Sequence, residues 1–235
     1  MHYNKALLTV EYHNMLLRSS IKLIKSPIKT KLSFNYIKMS TTPTTTTPLV
    51  TIATDTNTTI DSVLNFWFKE LTMKQHFMKD EVVDNAIRTR YEYLIKEVKD
   101  GKHDTLSTTP LGNLTLIIIL DQFSRNMYRN SPESFAQDEQ ALKLSKLGVK
   151  RGDLEQLPTA YKSFLCMPYM HSESLQDQND SIPLFEGISE YNKEFAIKHQ
   201  VIIEKYGRFP HRNMILNRIS TPEEIEFLTQ ENSSF

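Results

Sequence analysis

The feature that most constrains the fold is residues 115–130, where an aliphatic run passes directly into acid, amide and guanidinium groups. Leu116, Leu120, Phe123 and Met127 keep a helical apolar spacing through this change, so part of the polar turn must face the protein interior. A buried carboxylate needs a cation and further hydrogen-bond donors. The run therefore predicts a core helix that ends in a polar site.

Helical periodicity continues from residue 60 to the end of the chain. Cap and stop signals divide this part into about eight helices, which predicts an all-α domain with the helix-turn-helix cadence of a helical-repeat fold. The predicted boundaries are a helix over 60–71, a helix over 80–99 stopped by Gly101, a helix opened by Thr109 and Pro110, a helix after Ser131 and Pro132 ending at Leu147 and Gly148, a short helix over 157–166 closed by Pro168, a helix capped by Ser172 and ended or kinked by Pro183, a helix over 189–206 ended by Gly207, and a last helix opened by Thr221 and Pro222.

Residues 1–58 read as a basic leader and a linker, and residues 59–235 as the all-α domain. Residues 1–40 carry seven Lys or Arg side chains, partly as an amphipathic stripe typical of a mitochondrial transit peptide, although Pro27 would kink it. A disordered leader, or a cytoplasmic protein translated from Met39, is the alternative. Residues 40–59 are rich in threonine and proline and cannot bury enough apolar surface to fold.

Composition excludes several classes of function. Residues 41–235 carry 28 − 7 = 21 basic and 28 − 1 = 27 acidic side chains, and this net negative charge argues against a nucleic-acid partner. The single Cys166 excludes an internal disulfide and a cysteine-rich zinc site. Every apolar run is shorter than the roughly 20 residues of a membrane span, so no membrane span is expected.

The first polar cluster contains Asp121 and Arg125, spaced i, i+4 in the order that favours a helical ion pair. An exposed pair of this kind would have no functional meaning. Burial of the neighbouring residues instead predicts that Asp121 or Arg125 lies within salt-bridge reach of Arg208, His211 or Arg212, or of Glu173.

The second cluster, residues 168–178, contains His171, Ser172 and Glu173. A histidine beside a glutamate can act as an acid–base pair. Ser172 is interpreted as a helix cap rather than a nucleophile, and two possible ligands at this spacing do not define a metal site.

The third cluster is residues 206–213, where His211, Arg212 and Asn213 are expected to open a helix after the turn at Pro210. Arginines beside free backbone N–H groups can bind an anion. The alternative is a latch in which Arg208 and Arg212 pair with Asp121 and Glu173.

The blocks DQFSRNMYR, PYMHSE and YGRFPHRN, followed by RISTPEEIEFL, resemble the family described as domain of unknown function 924, over about residues 60–228. The resemblance implies a tetratricopeptide-repeat-like all-α fold and no established activity. Family members usually have proline where Ser124 stands and tryptophan where Leu106 stands, so one wall of any pocket is altered. The blocks that carry over contain Asp121, Gln122, Arg125, Asn126, Arg129, His171, Ser172, Glu173, His199, Arg208, His211, Arg212 and Asn213.

Two functions compete. The favoured function is binding of a small anionic ligand, or of a carboxylate-bearing peptide or protein partner, in a polar, arginine-rich pocket, without metal or cofactor. The alternative is a hydrolase or transferase that uses His171, Glu173 and His211 as acid and base with an arginine clamp. The predicted ligand-binding residues are Asp121, Gln122, Arg125, Asn126, Arg129, His171, Glu173, Arg208, His211, Arg212 and Asn213.

Overall fold

The structure is a computed structural model that describes residues 56–231 and 233–234. Over these residues the domain is all-α, as predicted, and contains no strand. Its α-helices are α1 (Thr56–Asn65), α2 (Met73–Phe77), α3 (Glu81–Lys99), α4 (Pro110–Ile117), α5 (Ser124–Met127), α6 (Asp138–Arg151), α7 (Asp153–Gln156), α8 (Thr159–His171), α9 (Leu175–Glu186), α10 (Glu190–Tyr206) and α11 (Pro222–Phe227).

Two π-helical segments and three 3₁₀ turns complete the described elements. One π-helix, Phe66–Glu70, extends α1, and the other, Ile118–Phe123, joins α4 to α5. The 3₁₀ turns are Asp104–Thr108, Pro132–Ser134 and Pro210–Arg212. The transit-peptide prediction falls outside the described residues, within which no helix has the length and apolar character to cross a membrane.

Three predicted helix starts are confirmed by their capping hydrogen bonds. Thr109 accepts from the Gly112 N–H, and Pro110 occupies the first turn. Ser189 caps α10 by accepting from a backbone N–H of its first turn. Thr221 forms a full capping box with Glu224 at the start of α11.

The prediction that Gly148 ends a helix was wrong. Helix α6 continues to Arg151, and Gly152 ends it with a left-handed backbone at φ = 82°. Gly148 is instead a packing position, because a Cβ there would lie 2.6 Å from Asn113 Nδ2. The sequence shows the glycine but not the neighbouring helix that requires it.

Pro168, predicted to close a helix, and Pro183, predicted to end or kink one, both lie inside helices. Pro168 is buried within α8, and Pro183 lies in α9. Ser172 was predicted to cap α9, but Ser174 is the cap, while the Ser172 hydroxyl donates to Asp177. A proline costs a helix one hydrogen bond and some steric strain, and the packing of these helices outweighs that cost.

The α4–π–α5 rod lies at the centre of the core, where it packs against α3, α6 and α8. Trp67 is fully buried and packs edge-on against Phe123 and Phe164, with ring centroids 5.7 and 5.6 Å away. Leu106 is also buried in this core. Burial of every side chain from Leu114 to Leu120 fixes the rod and carries its polar end into the interior.

Candidate functional site

Asp121 lies within the π-helix Ile118–Phe123, directly after the aliphatic part of the central rod. A π-helical turn takes in one more residue than an α-helical turn, and such turns are common at functional sites. The Asp121 side chain is only 1% exposed. The predicted desolvation of this polar turn is therefore confirmed for its carboxylate.

Three donors stabilise the buried Asp121 carboxylate. His171 Nδ1 donates to Oδ1 over 2.7 Å, and Arg125 lies 2.9 Å from the same oxygen. Gln122 Nε2 donates to Oδ2 over 2.5 Å. Burial alone would raise the pKa of Asp121, but the charge of Arg125 and the contact with His171 hold that pKa well below its ordinary value.

Asp138, from the first turn of α6, connects two arginines of the site. Arg125 donates to both Asp138 oxygens over 2.8 and 2.9 Å, and Arg212 approaches Oδ2 to 3.2 Å. The direct ion pair predicted between Asp121 or Arg125 and the third cluster, or Glu173, is not formed among the described residues. Asp138 connects the two clusters instead. The guanidinium groups of Arg125 and Arg212 are both positive and cannot pair with each other, but a carboxylate between them can accept from both.

Arg212 is held inside the protein by packing as well as by charge. Its guanidinium carbon lies 4.7 Å from the Phe135 ring centroid and 4.6 Å from that of Phe209. One terminal nitrogen donates to the His171 carbonyl over 3.0 Å. Burial, followed by the charge of Arg125, lowers the pKa of Arg212 to about 10, so the side chain stays charged at pH 7.

Three histidines, His171, His199 and His211, lie near the buried Arg212. Burial and the charge of Arg125 lower the pKa of His171, and burial with the charge of Arg212 lowers the pKa of His211 to about 4. Burial lowers the pKa of His199 to about 3, and its Nδ1 donates to a carbonyl of α10 over 2.8 Å. The Phe209 ring contacts both His199 and His211, with centroids 5.8 and 5.6 Å apart. These histidines are therefore neutral at pH 7.

The acid–base pair of Glu173 with His171, part of the alternative enzyme hypothesis, is not formed. The Glu173 carboxylate accepts from Arg218 over 2.7 and 3.0 Å and from the Phe209 N–H over 2.8 Å. These contacts lower the pKa of Glu173 against the effect of its burial. His171 pairs with Asp121 instead, since Glu173 is already bound to the C-terminal segment.

Arg208 was predicted to pair with Asp121 or Glu173, and it pairs with Glu224. Its Nε and a terminal nitrogen donate to the two Glu224 oxygens over 2.7 and 2.8 Å. Asn213 Nδ2 and the Thr221 N–H donate to the same carboxylate. The Arg208 hydrogen bonds are the leading cause that lowers the pKa of Glu224 to about 2. We call this group, Arg208, Asn213, Thr221 and Glu224, the Glu224 latch.

Two predicted site residues belong to a third group. Arg129 donates to both Asp84 oxygens over 2.5 and 3.0 Å and to Asn126 Oδ1 over 2.7 Å. Asn126 also donates to the Gln122 carbonyl. These contacts tie α5 to α3 and place Arg129 and Asn126 in a structural role.

The predicted residues that share one region are Asp121, Gln122, Arg125, His171, His211 and Arg212. Sequence reasoning missed Asp138, Phe135 and Arg218 as parts of it. Asp138 carries a weak signal as an acid in the first turn of a helix, where acids are ordinary. Arg218 lies in the last family-like block, which could have drawn attention to it. In the described part of the chain, no group of three or more His, Cys, Asp or Glu side chains could hold a metal ion.

The described chain is thus an all-α domain whose central helix ends in a network of two carboxylates, two guanidinium groups and neighbouring neutral histidines, in which Asp121 and Arg212 are buried and Arg125 and Asp138 are partly exposed. It belongs to the family described as "Bacterial protein of unknown function (DUF924)", whose model matches residues 63–232. This finding confirms the family resemblance of the sequence blocks.

A solved structure, that of the protein of unknown function ATU0120 from Agrobacterium tumefaciens, is similar to this chain at 29% identity and a TM-score of 0.71. The match covers 74% of this chain and 98% of that one. No curated protein matches the chain. The comparisons thus support an all-α domain of a family without an assigned activity.

Proposed function

We propose that the domain binds a small molecule through a carboxylate or phosphate group, at a corner formed by His171, His211 and Arg212. We call these three residues the histidine–arginine corner. The observation that carries the proposal is the buried Arg212 Nε, a guanidinium donor without a hydrogen-bond partner among the described residues. An unpaired buried donor on a charged group is costly, and a ligand oxygen would remove that cost.

Unpaired polar atoms are concentrated beside this corner. Of the nine buried side-chain atoms without a partner in the described chain, four lie within residues 211–218. Two of these four are the Nε donors of Arg212 and Arg218, and a third is Nδ1 of His211. The fourth is the acceptor Asn213 Oδ1. The two guanidinium nitrogens can only donate and carry positive charge, which favours an acidic ligand group over a cationic one.

The geometry favours a small ligand over a protein partner. Arg212 is 6% exposed, and both of its terminal nitrogens are already engaged, by Asp138 and by the His171 carbonyl. The remaining Nε is itself buried, so a ligand oxygen reaches it only when a neighbouring side chain moves aside, which favours a compact group of a few oxygen atoms. A peptide carboxyl terminus is the competing occupant, and it would also require contacts along the neighbouring surface.

The charges of the network imply a pH dependence of binding. Asp121 and Asp138 balance Arg125 and Arg212, so an anionic ligand would add one uncompensated negative charge. The neutral His211 can offset that charge by taking up a proton, since the anion would counteract the positive charges that lower its pKa. We therefore expect the affinity for an anion to rise as the pH falls from 7 toward 5.

We also propose that the helices form a tetratricopeptide-like array. Helix α8 packs against α6, α9 packs against α8, and α10 packs most extensively against α9. In such arrays each antiparallel pair stacks on the pair before it. A superposition of successive helix pairs with matching crossing angles would support this assignment, and unrelated angles would refute it.

Calorimetric titration tests the binding proposal. Sodium succinate, citrate and phosphate are titrated against sodium chloride of equal ionic strength, since chloride corrects for screening. We expect saturable binding of at least one of the three, weakened at least tenfold in Arg212→Met and in His211→Gln. Arg208→Met is the matched control and should keep the wild-type affinity. Absence of saturable binding, or an equal loss in Arg208→Met, would refute the proposal.

A further inference from the structure

His171 is held in the way that suits a general base. Its Nδ1 donates to the buried Asp121 carboxylate, which fixes the neutral ring with the proton on Nδ1 and the lone pair on Nε2. Arg125 and Gln122 fix Asp121 in turn. The His171 carbonyl is also bound by Arg212, so both the backbone and the ring of this histidine are positioned.

The free ring nitrogen of His171 faces outward. Nε2 makes no hydrogen bond in the part of the chain that the structure describes, and it is absent from the buried atoms that lack a partner. The side chain is 16% exposed, so the accessible edge of the ring includes Nε2. A base that contacts no hydroxyl or thiol of its own protein must take its proton from water or from a bound molecule.

A second histidine–carboxylate pair in the domain shows what an ordinary pair looks like. His103 Nε2 contacts Glu97 over 3.0 Å, but Glu97 is 34% exposed and its other contact is an exposed lysine. No buried arginine holds that carboxylate. The Asp121–His171 pair is distinguished by a desolvated, multiply bound carboxylate, the arrangement that orients imidazole in hydrolytic sites.

We propose that His171 is the general base of a hydrolase that acts on esters of small molecules bearing a second, free carboxylate. This inference rests on the proposed anion site, because the histidine–arginine corner would hold that free carboxylate. His171 Nε2 takes a proton from water while the water oxygen forms a bond to the ester carbonyl carbon. When the bond between that carbon and the leaving oxygen breaks, His171 returns the proton to the departing alkoxide. The products are an acid and an alcohol, and one water is consumed.

The residues divide by role. His171 is the catalytic residue, since its Nε2 would touch the attacking water. Asp121 and Arg125 are positioning residues that act through the His171 ring and its charge. Arg212 would anchor the substrate, so its loss should raise KM more than it lowers kcat. The lowered pKa of His171 keeps the base unprotonated at pH 7 and places the acid limb of the rate profile below pH 6.5.

The test measures release of 4-nitrophenol from the mono-4-nitrophenyl ester of terephthalic acid, with 4-nitrophenyl benzoate as the uncharged counterpart. We expect turnover of the charged ester with a higher kcat/KM than the uncharged one. His171→Gln should lower kcat/KM by about 10²–10⁴-fold, the usual contribution of general-base catalysis. Asp121→Asn should lower kcat and shift the acid limb of the pH profile. His103→Gln is the matched control and should keep the wild-type rate.

The outcomes separate this inference from the binding proposal. Terephthalate is titrated into each variant by calorimetry, and circular dichroism checks that each variant is folded. Binding of terephthalate without turnover, or equal turnover in His171→Gln, would overturn the general-base role and leave the anion site standing. Absence of terephthalate, succinate, citrate and phosphate binding would overturn both. Loss of turnover in folded His171→Gln at a saturating concentration of the charged ester supports the inference, because kcat at saturation does not depend on the share of His171 in binding.

Discussion

The histidine–arginine corner and the Glu224 latch each contain one arginine from the same short segment, Arg212 and Arg208, yet these two arginines differ in how their charges are matched. In the latch, two nitrogens of Arg208 donate to the two oxygens of Glu224. The same carboxylate also accepts from Asn213 Nδ2 and the Thr221 N–H. At the corner, Arg212 shares Asp138 with Arg125 and keeps an unpaired Nε. The latch also contains one buried atom, Asn213 Oδ1, that is unpaired among the described residues, but of the two regions only the corner leaves a charged donor unpaired. We therefore take an unpaired guanidinium donor as the feature that distinguishes the site from the latch.

The largest expected effect comes from removing either the carboxylate of Asp121, which contacts His171 of the corner, or the carboxylate of Glu224 in the latch. Asp121→Ala leaves Arg125 short of one carboxylate in a desolvated position, and breaking a buried pair costs about 3–5 kcal/mol. Glu224→Ala should cost less, because its partner Arg208 reaches solvent. Urea unfolding at pH 7 measures both. Equal losses would show that the two networks are desolvated alike and would break the comparison.

The pH dependence of stability gives the next largest effect. The folded pKa of His211 is about 4, below its unfolded value near 6.5, so the unfolded chain binds more protons between these limits. Stability therefore falls as the pH drops from about 6.5 to 4, by about 1.4 kcal/mol per pH unit for each such proton. His211→Gln should reduce that slope by one proton in urea titrations at several pH values. An unchanged slope would mean that His211 is solvated.

The substitution Ser124→Ala should have the smallest effect on stability, and it tests whether an unpaired buried atom outside the corner affects anion binding. The Ser124 hydroxyl is buried and has no hydrogen-bond partner among the described residues. Ser124→Ala should raise the free energy of unfolding by about 1 kcal/mol, because a desolvated, unpaired hydroxyl is removed. Anion affinity should stay unchanged. A loss of affinity in this variant would show that unpaired atoms do not mark the site by themselves.

The fold follows from the sequence where local chemistry decides it. The caps at Thr109, Ser189 and Thr221 depend on side chains within three residues, so the sequence contains all the necessary information. Pro168 and Gly148 were misread because their meaning depends on tertiary packing. A proline inside a buried helix and a glycine beside Asn113 are stabilised by neighbours that are distant in sequence.

For the candidate site, too, the sequence indicated local features but not the contacts between residues that are distant in sequence. Asp121, Arg125, His171 and Arg212 could be identified from charge placed beside an aliphatic run and from the family-like blocks. Their pairing could not, because Asp138 lies 74 residues from Arg212 and looks like an ordinary first-turn acid. Sequence therefore identified most participants, and the structure was needed to show which carboxylate bridges the arginines.

The most direct test of the central claim is an NMR titration of the histidine ring signals with sodium succinate, at constant ionic strength and pH 6.5. If the corner binds anions, the His171 and His211 signals shift and saturate together, while the signal of His103, whose ring pairs with Glu97, stays fixed. Arg212→Met should abolish the shifts. Unchanged His171 and His211 signals with succinate and, in parallel titrations, with citrate and phosphate, or shifts that His103 shares equally, would contradict the account.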